Sequence, residues 1–176
     1  MKKLLLPIIL GFGLTGINAQ TTEQTQGMND IMIDPILMIA APAANISYER
    51  LLNQDSGLGI NAIFGLGREM TDFWQVSPYY RMYFGKKFAS GFFVEGFVPI
   101  TSTKEDDYVY LSPNNQPQPI DENVTSIGFG IGFGGKWVVK RNIVFEASAG
   151  VGRRFSDKDY LEKITGKGML GIGYRF

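Results

Sequence analysis

From Ile127 to Gly134 every second residue is large and apolar and each residue between is glycine, in the run Ile127-Gly128-Phe129-Gly130-Ile131-Gly132-Phe133-Gly134. A helix would scatter those apolar groups around its circumference, whereas a strand sets them all on one face. The same two-residue rhythm recurs in Leu170, Ile172, Tyr174 and Phe176, in Ile143, Phe145, Ala147, Ala149 and Val151, and in Trp74, Val76, Tyr80, Met82 and Phe84. It predicts strands over 31–40, 44–52, 57–66, 73–84, 90–100, 123–137, 141–154 and 165–176. Connected in chain order they make an all-β fold, an eight-stranded antiparallel transmembrane β-barrel of up-and-down meander topology, and their even number is what single-chain bacterial barrels require.

The connections carry separate information. Asn53-Gln54-Asp55-Ser56, Gly85-Lys86-Lys87 and Lys140-Arg141-Asn142 read as tight turns, while Thr101 to Asn123, Ser156 to Thr165 and Arg68 to Asp72 are longer. Short and long connections alternate, as they do in outer-membrane barrels, whose turns are short on the periplasmic side and whose loops are long outside. The first outside loop, near Pro42, departs from this by being short.

The amino terminus reads as an address. Lys2 and Lys3 precede the apolar run Leu4 to Leu14, and small and polar residues then lead to Ala19. Residues 1–19 are expected to be a secretory signal peptide, since the run is well short of the ~20 apolar residues a spanning helix needs. Residues 20–30, polar and without period, are expected to be a periplasmic lead-in, leaving 31–176 as the barrel. The apolar stretch Ile31 to Ala44 is interrupted by Asp34, Pro35 and Pro42, so it is no helical span either.

Alternation alone fits a soluble barrel, apolar inside, as well as a membrane barrel, apolar outside, and charge separates the two. Opposite the large apolar residues stand Glu49, Arg81, Glu95, Lys136, Glu146, Arg154 and Arg175, with both signs in near balance. An eight-stranded barrel is just wide enough for side chains to fill it, so these are expected to form a lumen charge network, with Glu49, Glu95 and Glu146 paired to Arg81, Lys136 and Arg175. Glycines on one strand would make room for long side chains reaching from others. Charges of the apolar parity, Arg50, Lys140 and Arg153, fall at strand ends. Trp74, Phe84, Trp137, Tyr174 and Phe176 also stand near strand ends and are expected to form the aromatic girdles of the membrane interfaces.

The last segment, Met169-Leu170-Gly171-Ile172-Gly173-Tyr174-Arg175-Phe176, resembles the carboxy-terminal strand of outer-membrane β-barrel proteins, with alternating apolar residues before a final aromatic. That resemblance implies that Ile172, Tyr174 and Phe176 serve as the signal read by the barrel-assembly machinery. Asn45-Ile46-Ser47-Tyr48-Glu49-Arg50 and the glycine-rich strands near 130 and 150 resemble a family of small, uncharacterised Gram-negative barrels, a domain of unknown function. More distantly, the layout is similar to OmpX-type barrels and the membrane domain of OmpA. These families imply structural or attachment roles in the cell envelope and offer no catalytic site to carry over.

The chain has no His and no Cys, so it holds no Ser-His triad, no Cys nucleophile, no disulfide and no ordinary zinc site. No cofactor or metal and no enzymatic activity is expected. Zero formal net charge removes the argument for a nucleic-acid partner. Glu105, Asp106 and Asp107, with Asp121 and Glu122 at the far end of the same connection, could bridge divalent ions to lipopolysaccharide, but their spacing matches no calcium loop. Tyr108 and Tyr110 in that connection admit two readings: strands carried beyond the membrane as a protruding sheet, or a Pro- and Asn-rich loop.

The leading expectation is a monomeric, non-enzymatic outer-membrane barrel with a structural or surface-interaction role, adhesion included. Its partners would be outer-membrane lipid and lipopolysaccharide. The alternatives are a narrow, porin-like pore for small solutes, and a soluble lipocalin-like binder of an apolar ligand.

Overall fold

In a computed structural model of the chain, residues 27–66, 73–109, 118–140, 142–155 and 163–176 are described. The signal-peptide reading of 1–19 lies outside them. The elements are β1 (Asn29–Ile33), α1 (Pro35–Ala40), β2 (Ala43–Asn53), β3 (Ser56–Gly65), β4 (Trp74–Tyr83), β5 (Gly91–Phe97), β6 (Ile100–Val109), β7 (Gln118–Val139), β8 (Ile143–Phe155) and β9 (Ile164–Arg175). Every pairing is antiparallel, and the ring closes where β1 pairs β9, with Asp30 opposite Arg175 and Ile33 opposite Ile172.

The described strands form eight staves, because β5 and β6 are one stave broken at Val98-Pro99. Both pair β4 on one side and β7 on the other. A proline has no N–H for the ladder, and the break is bridged by Val98 N–H donating to the Pro78 carbonyl and Gly128 N–H to that of Pro99, each at 2.9 Å. The expected 90–100 strand is thus β5 followed by the break, and the stave continues as β6 into the stretch expected as a connection from Thr101.

The first predicted strand, 31–40, is corrected. β1 starts at Asn29, so Asn29 and Asp30 belong to the wall and not to the lead-in, and it stops at Ile33. Asp34 then caps α1, its carboxylate accepting from Leu37 N–H at 2.8 Å, with Pro35 in the first helical position. An acceptor side chain followed by a residue with no N–H to lose is the combination that starts a helix, and it prevails over the apolar run.

Past Ile33, β9 and β2 therefore have no strand between them, and α1 packs against both. Side chains stand in for the missing ladder. Asp34 accepts from Leu170 N–H at 2.9 Å, Asn45 Nδ2 donates to the Gly168 carbonyl at 2.8 Å, and Gln75 Nε2 to that of Gly166 at 3.1 Å.

At the end where Asn29 pairs with Phe176, the connections are the turns after β2 and β7 and the segment between β4 and β5. That segment is more than the expected tight turn. Ala89 and Ser90 are buried, and Ala89 takes a positive φ of 40° so that its N–H reaches the Gln54 carbonyl. Leu51, Tyr83, Ala89 and Phe93 make a small apolar cluster there. At the opposite end β6 and β7 run on past the rim as a two-stranded ribbon, paired from Thr103 opposite Val124 to Val109 opposite Gln118. Of the two readings for this segment, the backbone takes the protruding sheet; Tyr110 lies outside the described residues.

Candidate functional site

The polarity of the wall is the reverse of a water-soluble barrel. Phe129, Ile131 and Phe133 are 59%, 71% and 62% exposed, and Phe145 and Ile172 face outward with them. Exposed apolar surface on this scale is stable only in an apolar surrounding or against a partner. The lipocalin-like alternative, with its apolar residues gathered inside, is overturned by this orientation. The expected girdle residues Trp74, Phe84, Trp137, Tyr174 and Phe176 all face outward. Phe84 stacks near Phe92 with ring centroids 6.0 Å apart, and Phe129 meets Phe155 at 5.5 Å near the loop end, a contact the sequence reading did not include.

Inside, the charges meet. Arg81 on β4 is 1% exposed, and its guanidinium reaches carboxylates from three other staves: Glu95 Oε2 on β5 at 2.7 Å, Glu49 Oε2 on β2 at 3.0 Å, and both Glu146 oxygens on β8 at 2.6 and 2.7 Å. The ring centroids of Phe93 and Tyr79 lie 4.2 and 4.4 Å from its central carbon. A planar fork with several fixed donors and a weakly hydrated face suits this role better than an ammonium would.

Lys136 on β7, fully buried, donates to Glu49 at 2.6 Å and Asp30 at 3.0 Å. Arg175 holds Asp30 through two bonds of 2.7 and 2.9 Å, and its Nη atoms donate to the Phe88 and Ala89 carbonyls at 3.0 Å, which ties the β4–β5 connection under the lumen. Lys167 on β9 donates to Glu95 at 2.5 Å and lies 3.9 Å from the Tyr79 ring centroid. Tyr83 hydroxyl donates to Glu49 at 2.5 Å.

Four cations and four carboxylates thus neutralise one another inside the wall. β3 brings no charge but makes space. A Cβ on Gly57 would run into the Glu49 carboxylate, and one on Gly59 into the Tyr79 ring. On β7, a Cβ on Gly132 would stand 3.0 Å from Glu95 and one on Gly134 2.7 Å from Phe93.

Six of the expected network residues are brought together: Glu49, Arg81, Glu95, Lys136, Glu146 and Arg175. Two details differ. Arg175 pairs with Asp30 and with none of the glutamates, and Arg154 is outside the network. It sits near the loop end opposite Gly128, where Nη2 makes a long 3.5 Å contact to the Ile164 carbonyl. Its parity points inward, but its height along the strand is wrong. Asp30 and Lys167 were missed. For Lys167 the signal existed, since it has the parity of Arg175; Asp30 stood in a stretch with no rhythm to read.

Above the charges, toward the loop end, the lumen is polar and mostly uncharged. Asn61 Nδ2 donates to Asn45 Oδ1 at 2.6 Å, and the Thr101 and Thr165 hydroxyls donate to Gln75 Oε1 at 3.1 and 2.7 Å. The ribbon places Glu105 opposite Glu122 and Asp106 opposite Asp121, with Asp107 facing Ile120 and Tyr108 facing Pro119. Among the described residues no group of three or more possible ligands is placed to hold a metal ion.

No curated protein matches the chain. Among solved structures, the crystal structure of the N-terminal β-barrel domain of Pseudomonas aeruginosa OprF is similar in fold, with a TM-score of 0.57 at 17% identity over 84% of this chain and 95% of that one. A family described as "Protein of unknown function (DUF3575)" matches residues 15–169. The chain forms a closed eight-stave barrel of outer-membrane type, and with that match spanning most of its length it belongs to the DUF3575 family.

Proposed function

We propose that this protein is a non-enzymatic, monomeric integral barrel of a bacterial outer membrane, with a structural or surface-interaction role and a lumen closed by its own charges. The observation that carries the reading is Arg81, bound inside the lumen to carboxylates from three other staves. A path for ions would have to part those pairs, and stripping a partner from a buried charge costs about 3–5 kcal/mol. The outward apolar wall and the OprF-like fold support the location. Outer-membrane lipid and lipopolysaccharide would surround the wall, the assembly machinery would act during insertion, and the ribbon of β6 and β7 would meet whatever lies outside. Pure protein in planar bilayers is expected to give no stepwise currents at neutral pH. Stepwise currents from a preparation that is fully folded on gels would overturn the closed lumen.

A narrow pore is the second reading. It is favoured by the loopward lumen, where Ser77 Oγ and Asn61 Oδ1 are buried without a protein partner, as groups beside water would be. Conductance that appears only after Arg81→Ala would support closure in the native chain, whereas conductance in both forms would favour the pore.

A further inference from the structure

We infer that the free edge of β6, beyond the rim, is a docking site for an extended peptide segment of an external partner that carries Lys or Arg at every second position. This deepens the surface-interaction reading above and rests on it for the side of the membrane on which the partner is met. Val98 N–H donates to the Pro78 carbonyl and Gly128 N–H to that of Pro99. Alternate residues of an antiparallel strand turn their backbone groups to opposite neighbours, so along β6 the odd residues face β7 and the even ones face the β4 side. The pairing with β4 ends where Trp74 stands opposite Ser102. Among the described residues, the N–H and C=O groups of Lys104, Asp106 and Tyr108 therefore point to an edge with no strand on it, while Thr103, Glu105, Asp107 and Val109 carry the ladder to β7.

The two edges of the ribbon are not equivalent. By the same alternation, Pro119, Asp121 and Asn123 face away from β6 on the β7 edge. Pro119 has no N–H to offer there, and a missing donor is one of the devices that close an exposed edge to pairing. β6 has no proline from Ile100 to Val109 and keeps every donor that an added strand would use. Strand addition takes its affinity from such main-chain bonds and its selectivity from side chains at alternate positions.

Charge selects the occupant. Glu105, Asp107 and, across the ladder, Glu122 share one face of the ribbon, and no Lys or Arg stands on that face from Thr103 to Val109 or from Gln118 to Val124. A strand laid along β6 sets every second side chain about 5 Å from its cross-strand neighbours on that face. Cations at those positions complement the acidic row. A second copy of this chain, adding its own β6 edge, would bring acid against acid.

The test uses the full folded chain in detergent and two labelled peptides of one composition: Lys-Thr-Lys-Val-Lys-Thr-Lys, with its cations alternating, and Lys-Lys-Lys-Lys-Thr-Val-Thr, with them in a block. Fluorescence anisotropy measures binding and hydrogen exchange locates it. The alternating peptide is expected to bind about tenfold more tightly than the block and to slow exchange at the Lys104, Asp106 and Tyr108 amides. Asp106→Pro removes a donor from the β6 edge and Asp121→Pro removes one from the β7 edge. The two residues stand directly opposite each other, so the charge lost is the same. Only Asp106→Pro is expected to abolish binding. Glu105→Gln, Asp107→Asn and Glu122→Gln together are expected to erase the preference for the alternating peptide.

Equal binding of the two peptides, no binding at all, or equal loss in both proline variants would overturn the inference. So would slowed exchange at the same three amides on concentrating the protein alone, which would make the occupant a second copy. If Asp106→Pro no longer migrates as folded protein, the exchange pattern of the native chain decides. Failure here leaves the barrel standing, whereas a chain soluble without detergent would remove the outer-membrane reading and leave the β6 edge as it is.

Discussion

The lumen works residue by residue as a set of shared carboxylates, and Arg81 has the most to lose. Arg81→Ala leaves Glu49, Glu95 and Glu146 short of a cation in a place water reaches poorly, so it is expected to destabilise the barrel by about 3–5 kcal/mol. Asp106→Ala, in the ribbon, is expected to shift stability by about 0.5 kcal/mol or less, and in the stabilising direction, because Asp106 stands directly opposite Asp121 and like charges so placed repel. Urea unfolding in detergent measures both, and equal effects would remove the network as a source of stability. Most of this network was legible because alternation assigns a side to every residue. What alternation does not supply is height along the stave, which is why Arg154 was wrongly included, or a side for residues before the rhythm starts, which is why Asp30 was missed.

Among the elements, α1 is the one that pattern reading misjudged. The stretch from Ile31 is apolar enough for strand or helix, and the decisive residues are Asp34 and Pro35, a cap and a helix-compatible ring. Asp34 also carries the seam, accepting from Leu37 N–H and Leu170 N–H. Asp34→Ala is expected to cost about 1 kcal/mol for the cap and to expose both donors. In hydrogen exchange, the Leu37 and Leu170 amides should speed up while amides around Arg81 stay protected. Unchanged exchange at Leu170 would mean that Asp34 caps the helix and does nothing for the wall. The break at Pro99 was equally hidden, since a single residue without an N–H leaves the side-chain rhythm on either side intact. The β6–β7 ribbon was half legible: its strands were foreseen as one of two outcomes, and register across the pair was beyond reach of a period-2 pattern.

For the whole molecule, the ring of hydrogen-bonded staves predicts cooperative unfolding. Folded protein is expected to migrate faster than boiled protein on gels and to leave the aqueous phase without detergent. A chain that stays soluble in buffer would refute the outward apolar wall. Closure, stave count and direction of the faces were readable because they follow from period, parity and connection length, which are local properties summed along the chain. The one global feature that was not readable is the unequal length of the staves. Because β1 spans only Asn29–Ile33, the cylinder is a complete hoop at one end and a split collar at the other. Widening the split end breaks side-chain ties at Asp34, Asn45 and Gln75 but no strand-to-strand ladder between β9 and β2. Stiffness therefore falls along the axis, from a clamped base to a rim whose girth can change under load from the surrounding leaflet.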